Sequence, residues 1–499
     1  MASPLLLALD QGTTSTRAIL FQLDGTAVAS AGRPLKQSYP ADGWVEHDPE
    51  EIFRASVAVM REAVERSGRG AGAVAAIGIT NQRETVVVWE KANGRPIAPA
   101  IVWQDRRTAG VCARLREAGR EARVTEVTGL LLDPYFSGTK IAWLLDHVEG
   151  ARAAAERGEL LCGTIDAWLV WQLTGGKVHA TDATNASRTL LFDLEGQLWS
   201  QEMLELFEVP SPLLPEVRDT AGDYGEMLPE FLGRPVPIRG VVGDQQGALM
   251  GQGCIAPGQM KATFGTGCFL LLHTGEEAPR SRARLLTTVA ARVEGRASYA
   301  LEGAIFVAGA TIQWMEEGLG VEGGPQAVEA LAMRARGEHG VVLVPAFTGL
   351  GAPWWDADAR GALFGLTRDT GLAEIAGAVF DASALQARDL IEAMRADAPH
   401  AFGGEAELRI DGGMAKSRWF ARRLADLTAL NVLRLEYQET TALGAALFAG
   451  LGVGLYASLE EAAEARPKGE RLTPELDAKG REAAYARWTD AVRRTRSTS

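Results

Sequence analysis

The stretch LLLALDQGTTSTRAILFQLDG (residues 5–25) runs from one apolar segment, ending on Asp10, through small, hydroxylated and basic residues into a second apolar segment. Leu5–Leu9 and Ala18–Phe21 have strand composition, and Gly, Thr and Ser are ordinary turn formers, so one reading is a plain β-hairpin. A second reading is an anion site. Gly12 lets the backbone approach an anion, successive N–H groups and hydroxyls donate to it, and Asp10 can hold a hydrated Mg²⁺. These residues alone leave both open.

The rest of the chain narrows the choice. At 499 residues it is too long for one core, and two or three domains are expected. A hydrophobic fraction of 46% with 23% charged residues is ordinary for a globular protein. No apolar run approaches the roughly 18 residues a membrane span needs, and MASPLLLALD lacks the basic lead of a secretory signal. Cys112, Cys162, Cys254 and Cys268 are far apart and read as reduced thiols, which predicts a cytoplasmic protein. A formal charge of −13 argues against nucleic-acid and anionic-membrane partners, but a nucleotide can still be held by local backbone dipoles. Six scattered histidines without H-E-x-x-H make a zinc site unexpected.

Strand-like runs (74–80, 341–347, 407–413) alternate with helical stretches, which predicts an α/β fold; the opening hairpin predicts mixed sheets. Residues 48–68 read as a helix with Asp48 as N-cap, Pro49 first, Glu51 closing a capping box and Gly68 stopping it. The Pro- and Gly-rich segment 208–240 reads as the end of a first domain, dividing the chain into 1–250 and 251–499, and the tail reads as one or two amphipathic helices. MKATFGTGCFLLLHTGE (260–276) repeats the strand, Gly/Thr turn, strand logic of the opening. Two such hairpins across a cleft could grip the two ends of a polyphosphate. There is no Walker motif, and GLGVEG (318–323) follows a helical segment, so it reads as a helix-ending loop.

In VPIRGVVGDQQGAL (236–249), Asp244 stands at a strand's exit, either as a helix N-cap or as a catalytic base in a cleft. In AIGITNQRETVVVWE (76–90), Arg83-Glu84 is either a solvated turn or a donor–acceptor pair suited to neighbouring hydroxyls of a polyol. Trp103, Tyr135 and Phe136 are either core or an apolar wall for the C–H face of such a ligand.

LALDQGTTSTRAI, GWVEHDP, AIGITNQRET, AIVWQDRRT, DPYFSGTK, TDATNASRT, GDQQGAL, FGTGCF, YALEGAIFVAGA, PAFTGLGAPWWD, ARGALFGLTR and ETTALGAA, in this order, resemble bacterial glycerol kinases of the FGGY carbohydrate kinase family. The blocks cover nearly the whole chain, and DPYFSGTK and ITNQRET separate this group from sugar kinases of the same fold. The resemblance implies two actin-like (ribonuclease H-like) domains with a cleft between them, ATP and Mg²⁺ as cofactors, and glycerol as substrate. It implies Thr13, Thr14, Ser15 and Arg17 on the nucleotide phosphates, Thr266 on the second phosphate loop, and Gly309, Gln313, Gly413 and Ser417 on the nucleotide side. Arg83, Glu84, Tyr135, Asp244 and Gln245 match glycerol contacts, with Trp103 and Phe269 as walls, Asp244 as general base, and Asp10 with Asp244 near the metal. A homo-oligomer, dimer or tetramer, is expected, without membrane insertion.

Three departures qualify the match. Ser417 stands where Asn is frequent. Asp381-Ala382-Ser383 replaces Glu-Ser and an apolar residue in the second signature, with Gln386, Arg388 and Asp389 kept, which predicts altered packing rather than lost activity. Residues 228–238 lack the Gly-Gly-Thr-Arg loop linked to fructose 1,6-bisphosphate inhibition, and Glu230 replaces a phosphorylatable His. The alternatives are a family member acting on another polyol or sugar, and an actin-like ATPase working as a chaperone or filament.

Overall fold

The opening stretch folds as an antiparallel hairpin: Leu5–Gln11 (β1) pairs with Ser15–Phe21 (β2), and Gly12 donates its N–H to the Ser15 carbonyl at 3.0 Å. The structure is a computed structural model, and it describes residues 3–337, 339–404, 406–435, 437, 439–466 and 468–497. Ala27–Pro34 (β3) continues the antiparallel meander beyond β2. On the other side of β1, Val74–Asn81 (β4) and then Val236–Gly243 (β5) pair in parallel, with Glu226–Met227 at the edge. Parallel pairing requires a crossover, supplied before β4 by helix Pro49–Arg66 (α1). Asp48 caps α1 by accepting the Glu50 N–H at 2.9 Å, Pro49 opens it, and Gly68 follows it at φ +66°. The reciprocal bond of a capping box, from the Asp48 N–H to the Glu51 carboxylate, is not formed among the described residues. Ile52, Val59, Met60 and Ala63 of α1 pack on Leu5, Leu7, Leu9, Ala18 and Leu20. The Pro- and Gly-rich segment stays with this sheet, because Glu226–Met227 and the start of β5 lie within it and β5 enters beside β4.

A second, seven-stranded sheet repeats the plan. Gln259–Phe264 (β6) and Cys268–Gly275 (β7) form its hairpin, joined by Leu286–Val293 (β8), Arg296–Ile305 (β9), Glu407–Asp411 (β10), Asn431–Leu435 (β11) and Gly469–Leu472 (β12). The order is β8-β9-β7-β6-β10-β11-β12, with β6, β10 and β11 parallel. The weak sequence repeat is thus a topological one: β6–β7 stands beside parallel β10 as β1–β2 stands beside β4. The run 341–347 yields only a three-residue strand, Val342–Val344.

Two helices tie the sheets together. Asp244–Gly251 (α2) continues β5, and Thr440–Gly452, which follows β11, lies on the first sheet although it comes after the second in sequence. Its Ala442, Leu443, Ala446 and Leu447 bury against Leu6, Ala8, Ile19 and Phe21. The backbones come so close that a Cβ on Gly78 would lie 2.0 Å from the Ala445 carbonyl oxygen, so only glycine fits there. The tail forms two helices, Leu459–Glu464 and Ala478–Thr495, separated by β12. Among the described residues no helix is long and apolar enough to cross a membrane.

Candidate active site

Each hairpin ends in a partly exposed loop of Gly, Thr and Ser residues. In the first, Trp103 Nε1 donates to Thr13 Oγ1 at 2.9 Å, which occupies an acceptor site on the hydroxyl and leaves its proton available. The predicted phosphate loop is therefore tied to the predicted polyol wall. In the second, Gly309 N donates to Gly265 O at 3.0 Å, and Ala308 N and Ala310 N donate to Thr266 O at 2.9 and 3.1 Å. A Cβ at Gly309 would sit 2.5 Å from Gly265 O, so glycine is required for the two loops to close on each other. The Thr266 side chain is exposed, and the space where a Gly413 Cβ would project is open. Gln313, on helix Ala310–Glu317, bonds Glu317 at 2.8 Å.

Two predicted nucleotide contacts have other partners. The Ser417 hydroxyl accepts from Phe420 N at 2.9 Å, capping helix Arg418–Thr428, and bonds Glu329 Oε1 at 2.7 Å. It is therefore not a free nucleotide donor, because both functions of the hydroxyl are taken. Arg17 Nη1 pairs with Glu439 Oε1 at 2.7 Å on the surface.

Arg83 and Glu84 are buried, which removes the solvated-turn reading. The reason is topological: β4 belongs to the first sheet, but Val86–Glu90 belongs to a separate four-stranded sheet, so NQRET crosses between sheets rather than closing a hairpin. Glu84 takes φ +62°, an unusual backbone state for a non-glycine residue. Arg83 Nη1 donates to Glu302 Oε2 at 2.6 Å and to Gln246 Oε1 at 3.3 Å, and Nη2 donates to Glu302 Oε1 at 3.3 Å. Arg188 Nε donates to Glu84 Oε1 at 2.7 Å, and its Nη2 to Glu302 Oε1 at 2.9 Å. Tyr135 is half-buried, edge-on to Trp103 at 5.6 Å, and Lys140 Nζ donates to its carbonyl at 2.6 Å. Phe269, on β7, packs beside Leu249 and Leu271. Lys261 Nζ donates to Thr263 Oγ1 at 3.0 Å and to Gln245 Oε1, and among the described residues no hydrogen bond engages the Gln245 amide N–H groups.

Asp244 is the first residue of α2, with Gly243 in the extended N-cap position, so its side chain is not the N-cap, although its Oδ1 accepts the Gln245 backbone N–H at 2.7 Å. Its Oδ1 lies 3.0 Å from Arg83 Nε, an ion-pair distance without hydrogen-bond alignment. The Asp244 side chain is 31% exposed while that of Arg83 is 2% exposed, so the carboxylate reaches open space over a buried charged floor. Burial raises the Asp244 carboxyl above the usual range, and Arg83 opposes the shift. Asp10 is pushed up to about 7, first by burial and then by the negative charges of Asp244 and Glu439. The Asp244 charge is one of the causes that raise the Asp10 carboxyl, so a cation beside the two carboxylates would relieve that repulsion. Among the described residues no group of three or more His, Cys, Asp or Glu is placed to hold a metal. A pair suits Mg²⁺, which keeps several waters and takes one or two carboxylates together with substrate phosphates.

Arg188, Glu302, Lys261 and Lys140 were not singled out from the sequence. The available signal was a lone charge inside an otherwise apolar segment, as in YALEGAI, where burial demands a partner.

The model for the N-terminal domain of the FGGY family of carbohydrate kinases matches residues 5–251, and that for its C-terminal domain matches residues 260–453. A glycerol kinase of Methylobacterium nodulans is 55% identical over 488 residues, covering 98% of this chain and 97% of that protein. One from Alcanivorax borkumensis is 55% identical over 496 residues, covering 99% of each. Among solved structures, a Plasmodium falciparum glycerol kinase with ADP superposes with a TM-score of 0.93 at 32% identity, covering 99% of this chain and 98% of that one. A gluconate kinase from Lactobacillus acidophilus shares the fold, with a TM-score of 0.88 at 20% identity and 99% of each chain covered. The fold is thus the actin-like α/β architecture of these kinases, and the chain belongs to the FGGY family of carbohydrate kinases.

Proposed function

We propose that the chain transfers the γ-phosphoryl group of ATP to the terminal hydroxyl of glycerol, giving sn-glycerol 3-phosphate for glycerol uptake and catabolism. The observation that carries this reading is the set of unused groups beside Asp244. Among the described residues, one Arg83 Nη2 proton has no partner and no hydrogen bond reaches Glu84 Oε2. A spare donor next to a spare acceptor, under a half-exposed carboxylate, suits adjacent hydroxyls with a third one presented for deprotonation. The full-length relatives named glycerol kinase support the same choice.

In this mechanism Arg83 and Glu84 orient the polyol, the amide of Gln245 donates to it, and Trp103, Tyr135 and Phe269 wall its C–H face. Asp244 accepts the proton of the terminal hydroxyl as the oxygen attacks phosphorus. Thr13, Thr14, Ser15 and Thr266 donate to the phosphates, and Gly309, Gln313 and Gly413 border the nucleotide. Arg17 joins the phosphates by exchanging its surface bond to Glu439. Asp10 and Asp244 would hold Mg²⁺, which when bound neutralises phosphate charge. Approach of the two halves excludes water and limits futile hydrolysis. We assign the polyol side to residues 1–250 and the nucleotide side to 251–499. We also propose a cytoplasmic homo-oligomer; the four buried, unpaired cysteines fit a reducing compartment.

A substrate panel tests the reading. With ATP saturating, kcat/KM should be highest for glycerol among three- to six-carbon polyols and sugars; a higher value for a pentose or hexose would assign the site to another member of the family.

A further inference from the structure

Arg83 and Glu84 are neighbours in sequence, opposite in charge and both buried, yet they are not hydrogen-bonded to each other; Arg83 Nε lies 3.8 Å from Glu84 Oε1. Left to themselves, two such groups would close on one another and cancel the donor and acceptor a polyol needs. What separates them comes from far along the chain. Glu302, on β9 of the second sheet, takes Arg83 through both of its oxygens, and Arg188 takes Glu84 while also bonding Glu302. The four side chains are 0–2% exposed and sum to zero charge, and the Asp244 carboxylate borders them, 3.0 Å from Arg83 Nε.

We infer that Glu302 and Arg188 are positioning residues for substrate selection: they hold Arg83 and Glu84 apart so that one Nη2 proton and the Oε2 oxygen stay available to neighbouring hydroxyls. Glu302 also competes with Asp244 for the Arg83 guanidinium, whose Nε is 3.0 Å from the Asp244 carboxylate. The two arginines hold the Glu302 carboxyl down to about 2 against the effect of burial, so it remains ionised at any working pH. Because Glu302 belongs to the second sheet and Arg83, Glu84 and Arg188 come from the first half of the chain, selection of the polyol depends on both halves being in register.

The inference rests on glycerol being the substrate, and the test separates the two. The readout is the ratio of kcat/KM for glycerol to that for 1,3-propanediol, which lacks only the middle hydroxyl, in the full chain with saturating ATP and Mg²⁺. A site that hydrogen-bonds a hydroxyl rejects the analogue lacking it, so the unmodified protein should favour glycerol strongly. Glu302→Gln keeps the shape but frees Arg83 to pair with Glu84 and Asp244. It should cut the ratio by about tenfold or more, the range set by losing one hydrogen bond to a charged group, with the KM for ATP unchanged. Arg188→Lys keeps the charge but loses the fork, and should cut the ratio in the same direction, which supplies the test if Glu302→Gln does not fold. An unchanged ratio in a folded variant, or an equal loss for both substrates, would overturn the inference. Failure of the unmodified protein to prefer glycerol would overturn the functional reading instead.

Discussion

Replacing Asp244 by Asn isolates the proton-accepting step. The change preserves volume and polarity, Gly243 and not Asp244 occupies the N-cap position of α2, and the amide oxygen of Asn can still accept the Gln245 N–H that Asp244 Oδ1 takes at 2.7 Å. The amide can still meet a hydroxyl, so the KM for glycerol should change modestly. What disappears is a carboxylate that burial makes more basic than usual and that Arg83, 3.0 Å away, keeps within reach of ionisation. General-base catalysis contributes about 10²–10⁴-fold, or roughly 3–5 kcal/mol of barrier, and kcat should fall by that order. The sign of the pH dependence follows. Asp244 works as the anion, so kcat in the unmodified protein should rise with pH through its elevated pKa, and this acid limb should be missing from the residual activity of the variant. Steady-state ADP release across pH, with circular dichroism to verify folding, provides the assay. A folded Asn variant with near-normal kcat, or one that keeps the acid limb, would refute the assignment of the base.

Asp10→Asn should raise the stability of the ligand-free protein at pH 8 while suppressing turnover. Its carboxyl titrates near 7 when folded and near 3.8 when unfolded, so ionising it in the fold costs up to about 4 kcal/mol above pH 7 and nothing below pH 3.8. Denaturant unfolding at pH 8 and at pH 3.5 should show a gain only at the higher pH. Thr266→Val should weaken ATP binding by about 1.5–3 kcal/mol and leave glycerol binding intact by calorimetry, since it removes one donor to a charged group. Ser417→Ala should cost about 1 kcal/mol of stability through the lost cap, with the ADP affinity unchanged, and Ser417→Asn should restore the stability.

The framework was legible in the sequence because it rests on local patterning: the hairpin at 5–25, its echo at 260–276 and the Asp48-Pro49 helix start are each set by residues close in sequence. Arg83-Glu84 was ambiguous because their burial is decided by Arg188 and Glu302, more than a hundred residues away, and nothing within NQRET says that the chain is changing sheets there. Asp244 was ambiguous by a single helical position, which separates an N-cap from a first-turn side chain whose Oδ1 takes the adjacent Gln245 N–H and which remains partly exposed. The partners of Arg17 and Ser417 lie 422 and 88 residues away, and only the packed chain reveals that these side chains are engaged. The packing of residues 440–452 on the first sheet likewise escaped the linear division, since an almost wholly apolar helix carries no amphipathic face to say which sheet it covers.

Phosphoryl transfer to glycerol is tested most directly by following ADP and phosphate esters together, by phosphorus NMR, in a mixture of the protein, ATP and Mg²⁺ with and without glycerol. With glycerol, ADP and a terminal glycerol phosphoester should appear one for one, and without it ADP release should be slower by orders of magnitude. ADP release at the same rate in both mixtures, with inorganic phosphate as the only other product, would contradict it.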